Sequence, residues 1–396
     1  MAIHHPYSLS TFRVNLLDQA RFWIFILCVL CALRGEFAAQ DFKAVYDGVE
    51  YAGVTREFSG RAVKLSLLRL DLKKVRLDVH HALDAAIGTE TTSSIAKRRK
   101  AVAAINAGFF RLDTSKFAGD SVGLFVVDGK ILSEPTNERI QLMINNRPDI
   151  TKTLFMRAAL SHTLKLGTET FQITGINRER KVDDLVLYTP EFGRNTLTED
   201  GLEFVIQNGI VISSINTAGN SVIPPNGYVI SASGTFRDSL ASVANVSDIV
   251  ALIQQWKGLP SDFIKDRFNL DVVTGVPQLI KNGKIDITWE QEKSSRSFVE
   301  TRHPRTAVAK LGDGKFLMLT ADGRSESSAG LDLYDLAAYL LELGATDAMN
   351  LDGGGSTTMF LDGKVVNTPS DKEGERKVSD AILVTLRKSQ KSRTKK

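Results

Sequence analysis

Residues 350–358 read NLDGGGSTT. Three glycines separate a carboxylate, Asp352, from three consecutive hydroxyls, Ser356, Thr357 and Thr358. Glycine lets a backbone turn tightly and lets a ligand come close to it. A bare backbone also presents N–H groups that suit anions. Asp-Gly by itself is a hairpin signal, but a hairpin needs one or two glycines, not three followed by Ser-Thr-Thr. Gly353, Gly354, Gly355, Ser356 and Thr357 are therefore candidates for contact with an anionic or hydroxylated ligand. Asp352 is the candidate for the group that acts on it.

Three other segments place polar groups beside apolar runs. INAGFF at 105–110 sets Asn106 before a glycine and two aromatics. RHPRTAVA at 302–309 leads into a strand through Arg305 and Thr306, and the planar fork of arginine is the usual clamp for phosphate or carboxylate. LTADGR at 319–324 puts Asp322 and Arg324 at the end of the apolar run FLMLT. In AMNLDGGGSTTM at 348–359, Asn350 and Asp352 alternate with Met349 and Leu351, so a strand would carry both polar groups on one face. Alone, INAGFF reads better as a turn into core phenylalanines, Arg305 as readily as a surface charge and ADGR as readily as a turn. Two polar groups on one strand face before the glycine loop, by contrast, do not read as structural alone.

Several chemistries are excluded. No G-x-x-x-x-G-K-[ST] loop occurs, and no dinucleotide-binding fingerprint opens a βαβ unit. The triple glycine fails the G-x-S-x-G nucleophile elbow, because Thr358 stands where the last glycine belongs. His80, His81, His162 and His303 show no metal-ligand spacing. Neither a metal nor a cofactor is expected.

These residues must be held by a strand-rich scaffold. Runs at 62–70 and 75–81 alternate in part. Hairpins are expected at 126–132, 280–285 and 360–366, each with Asp-Gly or Asn-Gly between apolar runs. Helices are expected at 93–104, whose end is equally compatible with strand, at 239–256, and at 331–343 with Asp332 as N-cap and Gly344 as C-cap. With no repeat and no long linker, the expectation is one α+β domain over 40–386. It would have a mixed sheet, a few packed helices and many hairpins.

The ends are different. FWIFILCVLCAL at 22–33 is uncharged, apolar and short for a membrane span, with Arg13 and Arg21 upstream. Residues 1–39 therefore read as a signal peptide, or as an uncleaved anchor. Both cysteines, Cys28 and Cys31, lie in that run. A mature chain without them suits a bacterial periplasm or exterior. Residues 387–396 carry six positive charges and read as a disordered basic tail, with weak adhesion to the envelope as the sharper reading. No folded basic face with interleaved aromatics points to nucleic acid.

INAGFF, TGVPQLIKNG at 274–283, HPRTA, ADGR, NLDGGGSTTM and RKVSDAILV at 376–384 together resemble the phosphodiester glycosidase family. Bacterial members of that family are often labelled exopolysaccharide-biosynthesis proteins. The resemblance runs from about residue 60 to 385. It departs at Ala107, where the family commonly has glycine, and at Asp380, where it commonly has asparagine.

The resemblance implies cleavage of a sugar 1-phosphodiester at the anomeric C–O bond. A phosphate monoester leaves readily, so electrostatic stabilisation supplies most of the assistance. Arg305 and Arg324, with N–H groups of Gly353–Gly355, would form that clamp, and Ser356 and Thr357 would add donors. Asp352, or failing it Asp322, would activate water or attack C1. Asn106, Thr306 and Asn350 would hold sugar or phosphate oxygens. The expected partner is a carbohydrate phosphodiester. Two other readings share the pocket: a non-catalytic carbohydrate-binding or exopolysaccharide assembly factor, which only three tryptophans weaken, and a peptidoglycan or teichoic-acid hydrolase.

Overall fold

The strand Phe316–Ala321, FLMLTA, is apolar at nearly every position because both its faces are covered. In the computed structural model, which describes residues 41–388 apart from 137, 214, 215 and 246, this strand is central in an eight-stranded sheet. Its neighbours are Arg61–Leu70 on one side and Arg305–Leu311 on the other, followed by Ala345–Asn350. Side chains alternate across the sheet. Leu317, Leu319 and Ala321 pack under the helix Leu333–Glu342, against Leu333, Leu336 and Leu340. Phe316 and Met318 face the opposite core, with Val308 and Met349.

That opposite core is closed by a second sheet. Its order is Lys364–Val365, Met359–Leu361, Ala103–Asn106, Asp380–Leu386 and Val75–His81. Ile105, Ile382, Val384, Leu77 and Val79 point inward from it. The layers are therefore helix, sheet and sheet. A further five-stranded sheet contributes Phe125, Leu142, Ile144 and Val273 to the same core. Residues 159–257 add a three-stranded and a five-stranded sheet with their own apolar cluster. From Phe42 onward the chain is one compact unit.

The expected hairpins form at all three places. Asp128-Gly129, Asn282-Gly283 and Asp362-Gly363 have positive φ at both central positions, as the type I′ turn requires. The 331–343 helix is observed as Leu333–Glu342, with the Asp332 side chain accepting from Asp335 N at 2.8 Å and Gly344 at φ 88°. The 93–104 segment divides into a helix Thr92–Arg98 and the strand Ala103–Asn106. Sheet pairing is antiparallel throughout the site-bearing sheets, and a parallel pair joins Gly175–Ile176 to Leu185–Tyr188.

Two expectations need correction. The 239–256 segment is not one helix: a helix spans Gly234–Ala241, and Val250–Lys257 is a strand paired along its length with Ala159–Leu166. The helix ends at Ala241 with Ser242 as its C-cap, Ser247 at φ 76° lies in the connection, and Val250 and Leu252 then turn inward with the two-residue period of a strand. Arg387 is not free tail. Its guanidinium donates to Val75 O at 3.0 Å, Arg147 O at 2.7 Å and Thr151 Oγ1 at 2.8 Å. The export segment and residues 389–396 lie outside the described residues.

Six strand ends meet at one edge of the layers. Ala345–Asn350 and Phe316–Ala321 end there, and Arg305–Leu311 begins there, through the pairings Ala307 with Asn350 and Arg305 with Ala321. In the second sheet, Ala103–Asn106 ends while Met359–Leu361 and Asp380–Leu386 begin, through Met359 with Ile105 and Ala381 with Asn106. Asn106 stitches the two sheets. Its Oδ1 accepts from Thr306 Oγ1 at 2.8 Å and from Thr358 N at 3.0 Å, and its Nδ2 donates to Asp352 O at 2.7 Å. Asn106→Ala removes all three bonds in a fully buried place. The expected loss, read by urea unfolding, is about 2–4 kcal/mol.

Candidate active site

Asp352 is fixed by its main chain before its side chain is considered. Its N–H donates to Ala107 O at 2.9 Å and its carbonyl accepts from Asn106 at 2.7 Å. The side chain is partly exposed. Its Oδ1 accepts from Gly353 N at 2.9 Å. The Ser356 hydroxyl lies near enough to favour the charged form, although it is buried and makes no well-formed hydrogen bond. Removal from water dominates and pushes the Asp352 carboxyl up to about 6, with the charge of Asp380 adding to the rise and Arg376 opposing it.

Asp380 is the second carboxylate of the edge. It is 1% exposed, its Oδ1 accepts from Gly108 N at 2.5 Å, and Ser379 donates to its Oδ2. Burial raises its pKa. His81 lies beside it with both ring nitrogens against carbonyl oxygens, Ala82 O at 3.1 Å and Gly119 O at 3.0 Å. Only the imidazolium donates from both nitrogens. Burial pushes the His81 pKa down, and the Asp380 charge opposes that. The INAG turn therefore holds both residues: Gly108 N donates to the Asp380 carboxylate, and Ala107 O accepts from the main-chain N–H of Asp352.

The glycines answer to their neighbours. A Cβ at Gly353 would lie 2.7 Å from Pro304 O. Gly354 has φ 61°, and a Cβ there would meet Arg324 Nη2 at 3.0 Å. At Gly355 it would strike Arg376 Nη2 and Asp371 Oδ1, both at 2.2 Å. Arg376 is held there by Asp371 through bonds of 2.7 and 3.1 Å. Arg324 is exposed, sits at φ 61° in a conformation that costs about 1 kcal/mol, and makes only a 3.5 Å contact to Ser370 Oγ. Its charge is thus available over the loop.

The other expected residues fall into two groups. Asp352, Gly353 and Gly354 are accessible together beneath Arg324. The N–H of Gly353 goes to Asp352, however, and that of Gly354 to Pro304 O, so these two do not form the expected anion cradle. Gly355, Ser356 and Thr357 are buried behind them.

Arg305 is buried, with Nε donating to Leu331 O at 2.9 Å and Nη2 to Phe298 O and Thr301 O, both at 2.7 Å. Burial lowers its pKa to about 10. It anchors the loop ends, and its Nη1 alone is left for a ligand. Thr306 and Asn106 bond each other. Asn350 donates to Val276 O at 2.7 Å and Leu351 O at 2.8 Å, and its Oδ1 is buried without a donor. Asp322 is occupied by Asn367 Nδ2 and Thr368 N, each at 3.1 Å. It positions the 367–368 turn.

Neither Asp380, noted in the sequence only as a departure from the family pattern, nor Arg376 was expected as a site residue. A signal exists for Asp380: an acid followed at once by the apolar AILV opens a buried strand, where an unpartnered charge is costly.

Residues 200–385 match the model of the phosphodiester glycosidase family. The mouse N-acetylglucosamine-1-phosphodiester alpha-N-acetylglucosaminidase is 32% identical over 180 residues, 42% of this chain and 33% of that protein. The human enzyme of the same name is 35% identical over 111 residues, 26% of this chain and 21% of that protein. This chain thus matches about a third or less of the length of those relatives. A solved structure of a hypothetical protein from Synechocystis has the same fold, with a TM-score of 0.75 and 24% identity over 88% of this chain and 64% of the other. The part of this chain that matches the phosphodiester glycosidase family is therefore 200–385, which carries the glycine loop, HPRTA, ADGR and Asp380.

The raised Asp352 pKa has a consequence for stability. A carboxyl held at about 6 in the fold and near 4 when unfolded destabilises the protein above pH 6, and this cost fades as pH falls toward 4. Asp352→Asn is expected to stabilise the protein by roughly 1–3 kcal/mol at pH 7.5. Thermal melts at pH 7.5 and pH 4.5 should show the gain at the higher pH only.

Proposed function

We propose that the protein is an exported hydrolase that cleaves the glycosidic C–O bond of a sugar 1-phosphodiester, in a bacterial cell-envelope or extracellular polysaccharide. The observation that carries this reading is Asp352, partly exposed and fixed at both main-chain ends, with Arg324, which has no carboxylate partner among the described residues, over the adjoining Gly354. The family of residues 200–385 and the activity named for its mammalian relatives support it.

The chemistry follows from charge. The departing group is a phosphate monoester, which needs little protonation, and Arg324 stabilises the negative charge it gains. As the C1–O bond breaks, positive charge develops at the sugar. Asp352, ionised above pH 6, is placed to attack that centre or to take a proton from attacking water. Arg376 and the INAG turn keep its orientation. Asp380, held by Gly108 and Ser379, is a second carboxyl group close by. The apolar N-terminal run supports export, and the basic C-terminal end supports loose contact with an anionic envelope.

Purified protein is to be assayed for sugar release from a panel of sugar 1-phosphodiesters, N-acetylglucosamine among them. Turnover is expected, with kcat/KM falling below pH 6 as Asp352 takes up a proton. Asp352→Ala should lower kcat by 10³-fold or more, on the order seen for loss of a catalytic group. Saturable binding of one member with no turnover would move the reading to a carbohydrate-binding or assembly factor.

A further inference from the structure

A row of four side chains leads away from the glycine loop. Arg305 lies over the ring of Phe298 at 5.0 Å, Phe298 meets Phe109 edge-on at 6.1 Å, and Arg139 lies 5.9 Å from the Phe109 ring. These residues come from four separate segments. The row is anchored to the site at both its rings. Phe109 follows the INAG turn whose Ala107 carbonyl holds Asp352, and Phe298 O accepts from Arg305, whose Cα is 3.7 Å from the Cβ position of Gly353. Phe109, Phe298 and Arg139 are all partly exposed.

Arg139 is the unexplained member. Its Nε and Nη1 are buried and have no acceptor among the described residues. Glu292 is the acid whose field reaches it. That carboxylate already accepts four other bonds, from Arg157 Nη2 and Thr288 Oγ1 at 2.6 Å, Gln278 N at 2.9 Å and Ile140 N at 3.1 Å. A half-buried guanidinium without its own counter-charge is costly to keep. An oxyanion is the ligand that its planar fork matches.

We propose that this row is the subsite for the alcohol esterified to the scissile phosphate, and that Arg139 receives an oxyanion carried by that alcohol, either a carboxylate or a phosphate monoester. The substrate is then an acidic glycan or a phosphorylated polyol chain. The inference rests on the phosphodiester glycosidase reading for its placement of the phosphate.

The test uses three N-acetylglucosamine 1-phosphodiesters, with methyl, carboxymethyl or 2-phosphoethyl as the second ester. Wild type is expected to favour one or both acidic esters over the methyl ester by at least tenfold in kcat/KM, through KM. The better of the two names the source of the oxyanion. Arg139→Gln should bring the ratio close to one, and Arg139→Lys should retain part of it. The same ratio, read as calorimetric Kd on the full-length Asp352→Asn protein, does not depend on turnover. Absent turnover of every ester would thus defeat the hydrolase reading while the Kd ratio still judges the subsite. A Kd ratio near one with Arg139 in place, or a ratio preserved in Arg139→Gln, would overturn the subsite.

Discussion

Everything at the catalytic edge depends on the amide of Asn106. It sits where two sheets end, and its two polar atoms make three bonds to different parts of the fold: Oδ1 to Thr306 of the large sheet and to Thr358 beyond the glycine loop, and Nδ2 to the carbonyl of Asp352. An amide donates and accepts from one planar group, so no carboxylate or hydroxyl of similar size makes the same three bonds. Asp352 is thereby placed by backbone contacts, and its carboxylate, largely withdrawn from water, adds one bond of its own from Gly353 N. The apolar layers behind it supply rigidity, and the site stands at their rim.

The edge concentrates charge at a cost to stability. Asp352 and Asp380 are both withdrawn from water and feel each other, while Arg324 stays over the loop without a carboxylate partner. A sequence selected for stability alone would replace Asp352. Arg376 and Asp371, by contrast, are a closed ion pair. They hold the shape of the loop, and the glycine at 355 exists to admit them. Of the three glycines, two make room for neighbouring groups and one supplies a left-handed turn. The N–H groups of Gly353 and Gly354 are spent inside the protein, and Arg324 is the charged group that stands over the loop.

Much of the scaffold was legible from residue pattern. The three Asp-Gly and Asn-Gly hairpins and the helix Leu333–Glu342 are local, and local rules decide them. The segment NLDGGGSTT was recognisable because no simple turn needs it. Long-range geometry was not legible. Arg305 has the chemistry of a phosphate clamp, yet its acceptors are carbonyls of Phe298, Thr301 and Leu331, whose approach only the fold determines. Asp322 likewise looked catalytic until Asn367 and Thr368 enclosed it. Asp380 was legible only as a departure from the family pattern, because its meaning arises from Gly108, 272 residues away. The 239–256 run misled because short apolar runs fit both periods.

The central claim is that the bond broken lies between C1 of the sugar and oxygen. Hydrolysis in water enriched in oxygen-18 tests it most directly, with mass spectrometry of both products. The expected result is the heavy atom at C1 of the released sugar and none in the phosphate monoester. Label in the phosphate would show cleavage at phosphorus and would contradict the role of Asp352 at the anomeric carbon.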